Sequence, residues 1–174
     1  MKRLFCLAAL AAALMGQTAV AQAAGVEFSA GETGESTQTY RLGLVFDWDK
    51  KWFESDVGHL TGYWNGAYTY WTGDKRSANN SLSFSPVFVY EFGNGNVKPY
   101  VEAGVGVALF SSTRVETQDL GSAFLFEDRV GFGFRFSGGH EIGIRATHYS
   151  NAGIKEPNAG VESYALHYTM PIEF

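Results

Sequence analysis

Three features are scarce in this sequence, and each scarcity excludes a class of protein. Cys6 is the only cysteine among 174 residues, so no disulfide framework can be built. No apolar run reaches about 18 to 20 residues, which excludes a bundle of membrane-spanning helices. Lys and Arg number 13 against 18 Asp and Glu, and the net charge of −5 offers no basic stripe for nucleic acid. Aromatic residues, at 16%, are plentiful enough to exclude intrinsic disorder, and the length suits one domain.

The first 23 residues have the pattern of a secretory signal peptide. Lys2 and Arg3 give a positive start, and the stretch from Leu4 to Met15 is apolar. Residues 21–23, Ala-Gln-Ala, then offer small side chains at the spacing that signal peptidase needs. A short buried helix is the alternative, but the three regions come in the secretory order. We predict a signal peptide over 1–23, which removes Cys6, and a mature domain over 24–174.

The rest of the chain alternates between apolar and polar residues with a period of two, which predicts β-strands with unlike faces. Tight turns at 93–96 and 137–139, and a somewhat longer turn at 50–57, separate some of these strands. The others are separated by polar and mostly long loops at 32–38, 71–80, 111–122 and 151–161. An even number of strands with this alternation of turns and loops is typical of a bacterial outer-membrane barrel. The predicted strands are 26–33, 40–48, 60–71, 82–92, 99–109, 124–136, 141–146 and 163–174.

A soluble eight-stranded barrel, with its apolar residues inside, has the same alternation. However, the interior of eight strands is only wide enough for side chains, and the apolar face of this chain is too bulky for it. We therefore expect an all-β fold, an eight-stranded antiparallel transmembrane barrel of the outer membrane with its apolar face toward lipid. The terminal Phe174 resembles the insertion signal of outer-membrane proteins. Inward charges of both signs are predicted to pair: Arg41, Asp47, Glu91, Glu102, Glu127, Arg129, Arg135, Glu141 and Arg145. Interfacial girdles are predicted from Trp48, Tyr70, Trp71, Tyr90, Phe92 and Tyr164.

Three polar residues continue the lipid-facing series of the last two strands. The outward face of the seventh strand runs on to His148 and Ser150, and that of the eighth extends back to Glu162. With both termini on the periplasmic side, all three lie at the outer-leaflet ends of neighbouring strands. A headgroup location, where polarity costs roughly 0–1 kcal/mol, would explain any one of them. Together they form a nucleophile, a base and an orienting carboxylate, and a hydrolytic site on the outer wall can only meet a lipid.

The residues around this trio resemble the signature of the lipid A 3-O-deacylase (PagL) family. The matching residues are 148–153, His-Tyr-Ser-Asn-Ala-Gly, followed by Pro157, Asn158, Gly160 and 162–164. Similar segments lie at 40–44, 60–64, 86–92 and 126–129. The family consists of outer-membrane enzymes that hydrolyse the ester-linked 3-hydroxyacyl chain at position 3 of lipid A. The resemblance implies that Ser150 is the nucleophile, His148 the general base and Glu162 the orienting acid.

The same resemblance implies an oxyanion hole formed by the Asn158 side chain and the Gly153 N–H, with Asn151 in support. Ordinary turn chemistry also explains these loop residues. Phe126 and Asp128 face lipid on the neighbouring strand, and we expect them to contact the sugar or the acyl hydroxyl of lipid A. For Phe126 the alternative is a place in the interfacial girdle, and for Asp128 it is an ion pair with a loop cation such as Arg114.

The function expected is therefore a lipid A 3-O-deacylase that needs neither metal nor cofactor. Its expected partners are lipopolysaccharide and the outer-membrane lipids, not nucleic acid, and a homodimer is left open. The alternatives are a non-enzymatic barrel serving envelope integrity or adhesion, and an acyltransferase on the same lipid, which would differ only in its acceptor. A purely structural barrel has no need of the polar trio on its lipid face.

Overall fold

The computed structural model describes residues 25–172, which form a closed antiparallel barrel. The predicted signal peptide with Cys6, and the terminal Phe174, lie outside the described residues. The strands are β1 (Gly25–Thr33), β2 (Gln38–Asp47), β3 (Gly58–Trp71), β4 (Asn79–Phe92), β5 (Val97–Phe110), β6 (Arg114–Val115), β7 (Gln118–Asp119), β8 (Phe124–Phe136), β9 (Glu141–Ser150) and β10 (Val161–Pro171). Neighbours around the barrel follow the order β1-β10-β9-β8-β5-β4-β3-β2, so that β1 and β10 close it.

The eight long strands confirm the predicted barrel. The short strands β6 and β7 form a separate hairpin within the connection from β5 to β8. The sequence did not predict them, because strands of two residues are too short to show an alternating pattern.

The connections gather at two ends of the barrel. Those at 34–37, 72–78, 111–123 and 151–160 lie at one end, which we call the loop end. The opposite end, the turn end, carries the remaining connections and both ends of the described chain. The connection at 34–37 is shorter than the one at 48–57, so the predicted contrast in length holds only for the others.

The apolar face of the barrel points outward, as predicted. Leu82, Val130 and Ile144 are each about three-fifths exposed on the outer wall, at 62%, 61% and 61%. Their alternation with buried neighbours follows from the opposite orientation of successive side chains on a strand. Among residues 25–172, no helix is long and apolar enough to cross a membrane.

Charged side chains of both signs fill the interior and pair there, which confirms the prediction for most of them. Arg145 contacts Glu27 at 2.9 Å and Glu102 at 2.5 Å, and Tyr63 donates a hydrogen bond to Glu102 at 2.6 Å. Gly131 leaves room for Glu102, because a Cβ there would lie 2.6 Å from Oε1 of that carboxylate. Asp47, at the end of β2, is exposed and makes no ion pair among the described residues, although it lies on the inward side and its charge interacts with that of Arg135. Glu27 was not predicted as part of the network. Further ion pairs inside the barrel include Arg41–Glu27, Arg41–Glu127, Arg129–Glu127, Arg135–Glu91, Arg135–Glu141 and Lys98–Glu91.

The prediction that Trp71 belongs to an interfacial girdle was wrong. Its neighbour Tyr70 faces outward, so strand alternation turns Trp71 into the barrel, where Nε1 donates to Ser81 Oγ at 3.0 Å. There it joins an apolar cluster that closes the interior at the loop end, which we call the lumen plug. Its members are Trp71, Ala108, Phe110, Val115, Leu120, Leu125, Tyr149 and Val161.

Candidate active site

The end of β9 and the start of β10 present the predicted trio on the outer wall. His148 and Ser150 face outward because Tyr149 between them faces inward, where its ring packs between Trp71 and Phe110. Register brings Glu162 directly opposite His148, as Cα partners on adjacent antiparallel strands. The structure therefore places all three side chains together on the lipid-facing wall.

His148 and Glu162 are joined by a hydrogen bond. His148 Nδ1 lies 2.9 Å from Glu162 Oε1, and the two side chains are 42% and 48% exposed. A carboxylate at Nδ1 favours the tautomer with a proton on that nitrogen and leaves Nε2 free to accept one. The pair therefore has the geometry of a base with its orienting acid.

Ser150 follows two residues after His148 on the same face, opposite Phe126 on β8. Within residues 25–172, no hydrogen bond joins Ser150 Oγ to the imidazole. In enzymes that use a serine nucleophile, this contact often tightens only when the substrate binds. The structure thus brings His148 and Glu162 into contact and places Ser150 beside them on the same face of β9.

Asp128 lies on the other side of His148, as its Cα partner on β8. His148 therefore lies between acidic residues of both neighbouring strands, and its imidazole contacts Glu162. The alternative pairing of Asp128 with Arg114 is wrong, because Arg114 contacts Asp119 at 2.9 Å across the β6–β7 hairpin. Asp128 is exposed on the outer wall and Phe126 is half-buried there, so both are available to a ligand.

The connection from β9 to β10, which we call the 151–160 loop, is held by Asn151. The Asn151 side chain is 1% exposed and donates to the carbonyls of Leu120 and Lys155, at 2.9 and 2.6 Å. The Asn151 backbone N–H donates to Asn158 Oδ1 at 2.9 Å. The side-chain amide of Asn158 can therefore still donate to a ligand through its Nδ2. Gly153 has a φ of 73° and open space around it. Asn151 therefore supports the loop, while Asn158 and Gly153 remain available.

Gly160 packs against the ring of His148, a contact that sequence reasoning missed. A Cβ at Gly160 would lie 2.9 Å from His148 Cε1, and φ at this glycine is 71°. The sequence contains a signal for the turn, since glycine tolerates this φ, but none for the neighbour that the turn meets.

An apolar groove of about 550 Å³ runs along the outer wall from these side chains. His148, Glu162 and Asp128 line it together with aliphatic and aromatic residues of five strands, among them Phe88, Ala103, Val130, Ala146 and Tyr164. Small side chains at Ala103 and Ala146 leave the space between larger ones. In residues 25–172, no group of three or more His, Cys, Asp or Glu side chains is arranged to hold a metal ion.

The barrel is closed, and its outer wall is apolar. Polar side chains are grouped at one end of a groove in that wall, so the fold and the site together define a membrane barrel with a site open to lipid. A family model described as lipid A 3-O-deacylase (PagL) matches residues 38–171. The chain belongs to this family and is an outer-membrane barrel enzyme.

Individual relatives agree with this assignment. The chain is 56% identical to lipid A deacylase PagL of Pseudomonas aeruginosa, over 99% of this chain and 100% of that one. It is 40% identical to lipid A deacylase PagL of Bordetella bronchiseptica, over 60% of this chain and 58% of that one. A crystal structure of the outer membrane enzyme PagL superposes with a TM-score of 0.84 at 56% identity, covering 86% of this chain and 100% of that one.

Proposed function

We propose that this protein hydrolyses the ester that joins the 3-hydroxyacyl chain to position 3 of lipid A, with Ser150 as the nucleophile. The observation that carries the proposal is the 2.9 Å contact of His148 with Glu162, on the lipid-facing wall beside Ser150. Lipid A deacylase PagL of Pseudomonas aeruginosa, at 56% identity, supports the choice of substrate. Lipopolysaccharide and the surrounding outer-membrane lipids are then the partners of this wall.

The first half of the reaction forms an acyl-enzyme. His148 Nε2 takes the Ser150 proton as Oγ attacks the ester carbonyl carbon, and Glu162 stabilises the imidazolium. When the tetrahedral intermediate collapses, the bond from the acyl carbon to the sugar oxygen breaks, and His148 gives its proton to that oxygen. Lipid A leaves with a free 3-hydroxyl group.

The second half returns the enzyme to its starting state. His148 takes a proton from water, the resulting oxygen nucleophile attacks the acyl carbon, and Ser150 Oγ leaves with the proton from the imidazolium. A free 3-hydroxy fatty acid is released. In both halves, Asn158 Nδ2 and the Gly153 N–H donate to the oxyanion, and one such donor contributes about 3–4 kcal/mol. No metal or cofactor is needed.

Phe126 and Asp128 complete the proposal as substrate contacts. Asp128 flanks His148, where its carboxylate can accept a hydrogen bond from a sugar or acyl hydroxyl, and Phe126 lies opposite Ser150. The apolar groove that begins at His148 then receives acyl chain.

The test is mass spectrometry of lipid A from cells that express the protein. Wild type is expected to remove one 3-hydroxyacyl mass. Ser150→Ala, His148→Ala and Glu162→Ala are expected to lose activity, by on the order of 10⁶-fold for Ser150 and 10⁴-fold for Glu162. Ser77→Ala, at an exposed loop serine, is the matched control and should behave as wild type. Unchanged lipid A with wild type, or deacylation that persists in Ser150→Ala, would sink the proposal.

A further inference from the structure

A segment of the neighbouring loop packs against the 151–160 loop. It consists of Asp119, Leu120 and Gly121, at the end of the β6–β7 hairpin, and we call it the brace. We propose that the brace positions the 151–160 loop so that Asn158 faces the reacting ester, and that Gly121 is the positioning residue on which this depends. The inference rests on the proposed function and deepens it.

Two hydrogen bonds join the brace to the loop. The buried Asn151 side chain donates to the Leu120 carbonyl at 2.9 Å, and the Ala159 N–H donates to the Asp119 carbonyl at 3.2 Å. These contacts lie on either side of Asn158 in the sequence. The brace therefore holds both arms of the turn that carries this side chain.

The Leu120 side chain provides an apolar contact with the same region. It is fully buried, at 0% exposure, in the lumen plug, where Tyr149 and Val161 are also members. Tyr149 separates His148 from Ser150, and Val161 precedes Glu162. The brace is thus anchored beneath the backbone that carries the proposed catalytic residues.

Gly121 permits the close approach. A Cβ at this position would lie 1.9 Å from the Pro157 carbonyl oxygen and 3.2 Å from Asn151 Nδ2, and φ is 66°. Because the nearest obstacle is backbone, it cannot be relieved by a side-chain rotation. Any larger residue must push residues 119–121 away from Pro157, the neighbour of Asn158.

The local structure of the brace is set by Asp119. Its Oδ1 accepts a hydrogen bond from the Gly121 N–H at 3.1 Å, and its Oδ2 contacts Arg114 at 2.9 Å. The bond from Gly121 lowers the pKa of the Asp119 carboxyl, and Arg114 lowers it further, so this carboxylate stays charged at neutral pH. Asp119 therefore offers a second position, outside the lumen plug, from which the brace can be loosened.

The route from the brace to the chemistry passes through Asn151. Its backbone N–H fixes Asn158 Oδ1, which determines where Asn158 Nδ2 points. An oxyanion donor acts only when it lies about 2.7–3.1 Å from the position that the oxyanion will occupy. A shift of the loop should therefore slow the chemical step and leave substrate binding in the groove nearly unchanged.

The experiment measures kcat and KM of the full-length protein in detergent micelles with lipid A. Gly121→Ala is expected to lower kcat roughly 10- to 100-fold, since a misplacement of about 1 Å can cost that much. KM should stay close to wild type. Gly93→Ala is the matched control, because Gly93 has a similar φ of 73° but open space around it, at the turn end. It should retain wild-type kcat.

A double-mutant cycle with Asn158→Ala tests the route. If Gly121 acts through Asn158, adding Gly121→Ala to Asn158→Ala should change kcat little, whereas independent effects would multiply within about twofold. Asp119→Ala loosens the brace at a position outside the lumen plug, and it replaces Gly121→Ala in the experiment if that variant does not fold. The kcat of Asp119→Ala should also fall, with KM unchanged.

Several results would overturn the inference. Wild-type kcat in Gly121→Ala or in Asn158→Ala would do so, and so would multiplicative effects in the double-mutant cycle. If Gly121→Ala does not fold, wild-type kcat in Asp119→Ala would overturn the inference instead. A Ser150→Ala arm is run alongside. Activity that persists in Ser150→Ala contradicts the proposed function itself, so the two failures are distinguishable.

Discussion

The imidazole of His148 has two neighbours of opposite character. Glu162 holds Nδ1 with a hydrogen bond, and Gly160 lies against the edge of the ring at Cε1 and Nε2 with no side chain of its own. One contact sets the tautomer, and the other limits the space in which the ring can turn. At the residue scale, the orientation of His148 therefore depends on the absence of a side chain at Gly160 as well as on the hydrogen bond with Glu162.

Gly160→Ala tests this dependence. The new Cβ would meet Cε1 of His148 at 2.9 Å and strain the backbone at a φ of 71°, so the ring must move. We expect kcat to fall by roughly 100-fold, as for a displacement of about 1 Å. Deacylation kinetics provide the measurement. Gly93→Ala carries the same backbone strain without the clash; if it loses as much activity as Gly160→Ala, contact with the ring is not the cause.

The trio itself could be predicted from the sequence, because strand alternation is a local property. Once Ile142 and Ile144 face lipid, His148 and Ser150 must face lipid too. The contact of Gly160 with His148 could not be predicted, since it depends on how a turn folds back onto a strand that ended ten residues earlier.

At the scale of elements, the connection from β5 to β8 links three loops of the loop end. The carboxylate of Glu116 accepts hydrogen bonds from the N–H groups of Asp74 and Lys75, at 2.6 and 2.9 Å. Glu35 of the first loop accepts from Thr117 and Gln118 on the same hairpin. The hairpin therefore orders the loops on one side and braces the 151–160 loop on the other.

The Glu116 contact should depend on pH. The hydrogen bond from Asp74, with those from Lys75 and Arg76, lowers the pKa of Glu116 below its ordinary value of 4.5. Its stabilisation is therefore fully present above 4.5 and is lost as the pH falls through the lowered value. Hydrogen exchange of the Asp74 and Lys75 amides should be slower in wild type than in Glu116→Ala near neutral pH.

The difference in amide exchange between wild type and Glu116→Ala should disappear in strong acid. Comparing them at the same pH removes the intrinsic pH dependence of exchange. The Gly93 amide, which donates to the Val57 carbonyl at 2.8 Å at the turn end, is the internal reference and should exchange equally in both. Equal exchange of Asp74 and Lys75 near neutral pH would show that the carboxylate does not order the loop.

The eight long strands were predictable as elements, although several begin earlier than their apolar patterns. β3 begins at Gly58 and β4 at Asn79, because backbone pairing starts before the first apolar residue of each predicted strand. The β6–β7 hairpin and its brace were not predictable, since two residues per strand carry no periodicity and Gly121 resembles any turn glycine.

At the scale of the whole molecule, buried ion pairs replace a conventional apolar core over much of the interior. Arg145 connects Glu27 on β1 with Glu102 on β5, on different sides of the barrel. Charges in such surroundings are stable only when their partners remain. The network therefore ties distant strands together and makes each member costly to remove.

Arg145→Ala should destabilise the barrel by about 3–5 kcal/mol, because it leaves two buried carboxylates without their partner. Denaturant unfolding in detergent or lipid vesicles provides the measurement. Arg114→Ala, which breaks the exposed pair with Asp119, is the control and should leave the free energy of unfolding close to that of wild type. A loss below about 1 kcal/mol for Arg145→Ala would mean that the two carboxylates find other partners or water.

The sequence by itself determined the strands, their lipid-facing sides and the shared face of His148, Ser150 and Glu162. These follow from alternation within a strand and from the order of turns and loops, which neighbouring residues decide. The tertiary structure decided which side chains meet: Trp71 in the lumen plug, Arg114 with Asp119, Gly160 with His148, and the brace with the 151–160 loop. Such contacts depend on strand register and on the closing of the barrel, which join residues far apart in the chain.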